Sequence, residues 1–383
     1  MYRKTYAAVN ERTLTENVRE LVSHYPEYQT YFGVVKGNAY GHGFRVVNAL
    51  LAGGVNYLAV SSLEEALCVR EFNREVPILC LEPVDLQFLD VVIANRITLT
   101  VHSADYFRAL NQAAPQEKVR VHVKLDTGMN RLGLKTKDEV DTLFSVLDRH
   151  ENVLIEGIYT HLATTGILDP YYDQQMKKFE RLTENIDLSL IPIVHVGRST
   201  TLVHHKKPDF VNGVRMGICM YGFSQSMPVP TGWRKLKREL TLKFKGISPA
   251  ILQNDLNLKT ALSLHSAVLQ VKDVKKGEFI GYGANARADE DLTVAILGIG
   301  YYDGMDARIG SVRLNGKDCP IWGDICMDMT AVKAPKGTRE GDLAEIFGET
   351  VSVRKIAQKL GTNAYHVLTG VTTRVERVYT EDI

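Results

Sequence analysis

The sequence lacks most of what would make a membrane, secreted or nucleic-acid-gripping protein. No apolar run approaches the ~18 consecutive residues needed to cross a bilayer. The opening MYRKTYAAVNERT has basic residues but no apolar stretch behind them, so it does not read as a secretory leader. Cysteine is scarce: Cys68, Cys80, Cys219, Cys319 and Cys326 make five, an odd number with no CxxC pair. That excludes a disulfide framework and reads as reduced thiols in a reducing, cytoplasmic compartment. Neither sign of charge dominates, since 46 Lys and Arg against 45 Asp and Glu leave a net +1. A chain built to hold phosphate backbones or anionic lipid would carry a large positive excess, so no nucleic-acid or membrane partner is expected. Nothing falls at a metal-ligand spacing, and no internal repeat or low-complexity tract is found. What remains is ordinary globular composition, 45% hydrophobic and 24% charged, over 383 residues. This allows a sizeable core in two or three domains, or a large barrel with one smaller domain.

From about residue 30 to 220, short β-branched runs alternate with amphipathic segments. YFGVVK, NYLAV, PILCL, ITLTV, VRVHVKLD, LIEGIYTH, IPIVHVG and DFVNGVRMGI read as eight strands. Ser62 with Glu65 reads as a capping box, Asp138 as the opening of a further helix, and residues 10–24 as a helix with Leu14, Val18 and Leu21 on one face. Eight strands alternating with helices fit a (β/α)8 TIM-type barrel, and equally an open doubly wound sheet, because pattern alone does not show closure. After Gly222 the texture changes. Pro228, Pro230 and Gly232 precede WRKLKRELTLKFK, with six basic residues and one acid, read as a solvated excursion or a partner-binding stretch. From about 260 the strands are short and turn-rich, with one helix near 353–360 and a closing RVERVY. The reading is α/β: a barrel over 10–222, a linker over 223–259, and a mostly β domain over 260–383 joined by an N-terminal strand over 1–9.

Several residues stand where barrel strands would end, the face on which such folds carry their chemistry. Lys36, in GVVKGNAYGHG, is either an ordinary surface cation or, if desolvated, an amine able to bond a carbonyl carbon. Gly37, Gly41 and Gly43 let the chain turn, and Tyr40 lies one helical turn on, within reach of a phosphate. In HVKLDTGMNRLG, Arg131 offers a fork for a carboxylate or phenolate oxygen, unless it or Lys124 forms an ion pair with Asp126. His161 and His195 lie at the ends of strands six and seven, as site residues or satisfied core histidines, and Ser199 opens a helix as a natural phosphate anchor.

With these blocks in view, the chain resembles the bacterial alanine racemases, pyridoxal-phosphate enzymes of fold type III with a barrel and a C-terminal β domain. The likeness runs from about residue 4 to 379, and VVKGNAYGHG is similar to the family's cofactor-lysine signature. It implies a cytoplasmic homodimer that interconverts L- and D-alanine for peptidoglycan. Lys36 would carry pyridoxal 5'-phosphate as a Schiff base and act as one catalytic base. Tyr40, Ser199, the backbone of Gly217 and Ile218, and Tyr365 would hold the phosphate. Arg215 would face the pyridine nitrogen, His161 support that arginine, and His195 pack its ring against the cofactor. Arg131 would orient the substrate carboxylate, with Lys124 as a carbamate beside it. Tyr282 in GYG would be the second base, while Tyr301, Met327 and Asp328 would shape the substrate pocket, these four coming from the partner subunit.

The departures from the family pattern are Gly37 for Ala, Arg198 for Asn, Met216 for Pro, Asp324 for Arg and Met329 for Gln. None removes a catalytic group. The same chemistry on serine or another small amino acid is the near alternative, and a non-catalytic cofactor-binding barrel is a remote one. A barrel decarboxylase of diamino acids would favour an acid where Arg215 stands.

Overall fold

The computed structural model describes residues 2–145, 150–164, 169–224, 231–244 and 255–381. The chain divides into two compact units. One comprises Leu14–Lys36 and Phe44–Lys259; the other Met1–Thr13, Gly37–Gly43 and Thr260–Ile383.

The larger unit is a closed parallel barrel. Its strands, numbered along the chain after β1 (Thr5–Asn10), are β2 (Thr30–Val34), β3 (Tyr57–Val60), β4 (Ile78–Cys80), β5 (Ile97–Val101), β6 (Val119–Leu125), β7 (Val153–Thr160), β8 (Ile193–His195) and β9 (Gly213–Met216). β9 returns to β2 with Phe32 opposite Arg215 and Gly33 opposite Met216, so the sheet closes and the open-sheet alternative falls away. Strands buried on both faces explain the runs: every position of ITLTV in β5 is buried. The lumen is filled by rings rather than aliphatics alone, with Phe32, Tyr57, His122 and His195 clustered and Tyr159 stacked on His195.

Helix starts follow from local hydrogen bonding. Ser62 accepts from the Glu65 amide ahead of Leu63–Phe72. The helix read as opening at Asp138 begins at Lys137 instead, because Thr136 and Glu139 satisfy each other's backbone amides in a reciprocal box. In the stretch read as a linker, Gly232–Phe244 is a helix with Trp233 and Phe244 exposed and Leu242 buried; 225–230 and 245–254 lie outside the described residues. No helix among the described residues is long and apolar enough to cross a membrane.

The smaller unit is built on β10 (Leu262–Val274), whose 13 residues serve two sets of neighbours. Its first half pairs with β1 and with Leu343–Phe347; past a bulge at Val268/Gln270 its second half pairs with Leu292–Leu297. RVERVY becomes Glu376–Thr380, parallel to β1. The helix read near 353–360 is Val353–Lys359, and a second, Ala364–Thr369, follows it.

Asp303 ties this unit together. It is wholly buried and accepts from Arg3 Nη1 (2.6 Å), Arg374 Nε (2.8 Å) and the Gly300 amide (2.9 Å). Burial alone would push its carboxyl up; the hydrogen bonds outweigh that and hold it at about 2. A folded value below the unfolded one stabilises above the unfolded pKa of ~3.9 and is lost as pH falls towards about 2. Asp303→Asn is therefore expected to cost about 3 kcal/mol at neutral pH, by leaving two arginines without their shared carboxylate. Urea melts should show the gap from wild type narrowing as pH drops from ~5 to ~3, and a gap independent of pH would remove the charge from this explanation.

Candidate active site

The barrel gathers most of the flagged cations at the carboxyl ends of its strands. Lys36 lies two residues past β2 and is exposed. Lys124, near the end of β6, is only 5% exposed and stands 4.8 Å from the centre of the Tyr159 ring. Burial, then the charges of Arg215 and Arg131, pull the Lys124 ammonium down to about 7, with Asp126 opposing and Lys36 adding to the effect. It is thus about half neutral at physiological pH, an unusual state for an amine.

Asp126 makes no ion pair with Lys124 or Arg131 among the described residues. Its carboxylate accepts from the amides of Gly128 (3.0 Å) and Asn130 (2.9 Å), which fixes the turn that delivers Arg131. The ion-pair alternative for this block is therefore not the one adopted.

Arg215 on β9 is 3% exposed and fully engaged on its inner side. Nη1 donates to His195 Nδ1 (2.7 Å), Nη2 to the Thr160 carbonyl (2.7 Å), and Nη2 lies 3.5 Å from His161 Nδ1. Burial lowers Arg215 to about 10, still well above neutrality, so it stays a cation. Burial, followed by the charges of Arg215, Lys124, Arg131 and Arg198, drives His161 to about 2, which leaves it neutral and able to accept. His195 departs from its expected place. With no exposed surface, and stacked on Phe32 (4.4 Å) and Tyr159 (4.6 Å), its ring has no face to pack on a cofactor; it holds Arg215 instead.

Ser199, also buried, accepts from the Gly217 amide (3.0 Å) and from Cys219 Sγ (3.0 Å), which leaves its own O–H to donate. It thereby joins the turn after β9, where Gly217 and Ile218 are both buried. Arg198, beside it, adds a further cation to the neighbourhood of His161.

The segment after Lys36 is not an ordinary helical turn. Gly37, Asn38, Ala39, Tyr40 and Gly41 run at φ of 65°, 54°, 52°, 52° and 83°, a left-handed turn closed by Gly41 N to Gly37 O (2.9 Å). Left-handed backbone costs a non-glycine residue about 1–2 kcal/mol, and such strain concentrates at functional sites. Gly41 is obligatory, since a Cβ there would stand 2.3 Å from the Leu368 carbonyl. Within the smaller unit the turn places Tyr40 with its ring 5.7 Å from that of Tyr365.

The remaining flagged residues also sit in the smaller unit, on its surface. Tyr282 is 70% exposed, in a short turn between Gly281 and Gly283, both at positive φ. Tyr301 and Met327 are brought together by backbone bonds from Tyr301 N to Cys326 O (3.1 Å) and Tyr302 N to Met327 O (3.2 Å). Asp328 pairs with Arg374, which also lies over the Tyr302 ring.

Sequence reading missed His122 on β6 and Glu156 on β7, which continue the Arg215–His195 contact through the lumen. The signal was available: a histidine and a glutamate inside otherwise apolar strands.

Family models place the chain clearly. The model described as alanine racemase, N-terminal domain, matches residues 9–225, and that described as alanine racemase, C-terminal domain, matches 261–379. An alanine racemase of Anoxybacillus flavithermus is 35% identical over 390 aligned residues, covering 99% of this chain and 95% of the relative. Alanine racemase 1 of Bacillus subtilis is 31% identical, covering 100% and 94%. The crystal structure of alanine racemase from Bacillus anthracis with bound L-Ala-P has a TM-score of 0.86 at 29% identity, covering 100% of this chain and 96% of that one.

Proposed function

The chain belongs to the alanine racemase family, and from that premise we propose that it interconverts L- and D-alanine with pyridoxal phosphate as its resident cofactor. The observation that carries the reading is the concentration of positive charge at the barrel's strand ends. Lys36, Arg131 and Arg215 all bear on the buried Lys124, and Asp126, the acid opposing them, is committed to backbone amides. Such a cluster fits a small polyanion. Ser199, whose hydroxyl keeps its O–H to donate, and the buried turn Gly217–Ile218 fit its phosphate; the family resemblance gives Tyr40 and Tyr365 the same role.

When bound, pyridoxal phosphate supplies the electron sink that makes the substrate's Cα proton removable. Lys36 would hold the cofactor. Arg215, which stays charged, would donate to the pyridine nitrogen rather than protonate it, keeping the sink moderate and side reactions few. Arg131 would grip the substrate carboxylate with its fork.

Inverting Cα requires a proton taken from one face and another delivered to the opposite face, hence two bases. Lys36 Nζ and Tyr282 Oη are assigned to these roles. Each would gain a proton when the substrate of its own face reacts and lose one when the other does, solvent resetting both. Tyr282, Tyr301 and Met327 are 70%, 54% and 51% exposed, so each is available to a second copy, and the working form is proposed to be a homodimer with shared sites. Tyr301 and Tyr365 would restrict the substrate's side chain, which favours a small one.

Lys124 would act as a carbamate. Its neutral amine attacks carbon dioxide, an N–C bond forms as one C=O π bond opens, and a proton leaves to solvent, so a neutral amine becomes an anion beside Arg131. Lys124→Met is expected to raise KM for alanine about tenfold, the worth of one charged partner for Arg131, with a smaller change in kcat. The wild type exposed to 13C-bicarbonate should show a carbamate carbon signal that the variant lacks; equal spectra would remove the assignment.

Assay of the D-isomer formed from L-alanine and from L-serine tests the substrate. Alanine should be the faster, and a faster serine reaction would replace it.

A further inference from the structure

A line of polar groups runs through the barrel lumen from Arg215 on β9 to Glu156 on β7, and every bond in it has a forced direction. Arg215 has only donors, so His195 Nδ1, at 2.7 Å, must accept. A neutral His195 then carries its proton on Nε2, which faces His122 Nδ1 at 2.8 Å. His122 in turn carries its proton on Nε2, facing Glu156 Oε2 at 3.2 Å. Glu156 closes the line as an anion, accepting also from the Tyr57 hydroxyl (2.7 Å) and paired with Arg120 Nε (3.2 Å). The fold makes room for this: a Cβ on Gly157, which sits opposite His122 across the β6–β7 ladder, would stand 2.6 Å from the His122 ring.

We propose that Glu156, acting through His122 and His195, positions the guanidinium of Arg215, so that Glu156 and His122 are positioning residues for the reaction. The link to catalysis rests on the reading of Arg215 given above; the bonds themselves do not. The series has one permitted sense. Removing the Glu156 acceptor releases His122 to move its proton to Nδ1, where it would oppose the Nε2 proton of His195. Relieving that conflict by moving the His195 proton to Nδ1 would set two donors against each other at Arg215. A carboxylate at the far end is what makes the imidazole lone pair at Arg215 the stable arrangement. Burial keeps both histidines below their ordinary value, in keeping with neutral rings.

The test uses the purified full-length protein with 15N-labelled histidine and reads ring tautomers by NMR. In the wild type both His122 and His195 should be neutral with the proton on Nε2; a charged ring or an Nδ1 proton on either overturns the relay without any variant. In Glu156→Leu the two rings should populate mixed tautomers, and pyridoxal phosphate affinity should fall about tenfold, the effect of one buried hydrogen bond left unmade. Glu156→Gln keeps an acceptor for His122 and should hold tautomers in place, with affinity within about threefold of wild type. Unchanged tautomers and affinity in Glu156→Leu would also overturn the proposal. Tautomer order is read independently of turnover, so its absence counts against the relay even if D-alanine forms. Both rings in order with no D-alanine formed counts against the racemase reading alone.

Discussion

Lys36→Ala is expected to lower D-alanine formation from L-alanine by roughly 10⁴-fold, the upper range for a positioned proton-transfer group, here compounded by loss of the cofactor's attachment. Lys36 is exposed and beyond the last hydrogen-bonded residue of β2, so its truncation removes no packing. Thermal melts of variant and wild type, both freed of cofactor, should therefore superimpose. Added pyridoxal phosphate should remain with the wild type through gel filtration and be lost from the variant. A variant that keeps both cofactor and turnover would contradict the assignment of Lys36.

Tyr282→Phe carries the second large effect, and its signature is asymmetry. Racemisation has an equilibrium constant of one, so kcat/KM must stay equal in the two directions whatever is mutated. The asymmetry appears instead in exchange of the Cα hydrogen with D2O. With Lys36 intact, one enantiomer should still exchange near its usual rate, while the other slows by roughly 10²–10³-fold, the contribution of a single general base. Tyr282 is largely solvent-exposed, so the loss of its hydroxyl leaves no buried partner unmet. Equal slowing of both enantiomers, or none, would remove it as the second base.

Much of this was legible in the sequence because the determinants are local. Eight β-branched runs separated by amphipathic segments forecast the strands of the barrel, since parallel strands buried on both faces need apolar residues at nearly every position, as in ITLTV. Closure was not legible, because it depends on a pairing between β2 and β9, which lie far apart in the chain. The left-handed turn after Lys36 was hidden for a different reason. Glycines at 37, 41 and 43 announce a tight turn and Asn38 tolerates positive φ, but Ala39 and Tyr40 carry no preference for it. Resemblance puts His195 against the cofactor, while its stacking on Phe32 and Tyr159 is a property of the filled lumen that no single strand reveals. Asp126 looked like an ion-pair partner because charge is easy to read in a sequence, whereas demand from backbone amides is not.

The most direct measurement is incubation of the purified chain with L-alanine and pyridoxal phosphate in D2O, following both enantiomers by chiral chromatography and the Cα isotope by mass spectrometry. D-alanine is expected to rise until the two enantiomers are equal, with deuterium at Cα of the product. Cofactor retained by the protein with no D-alanine formed, or D-alanine that keeps its original Cα hydrogen throughout, would contradict it.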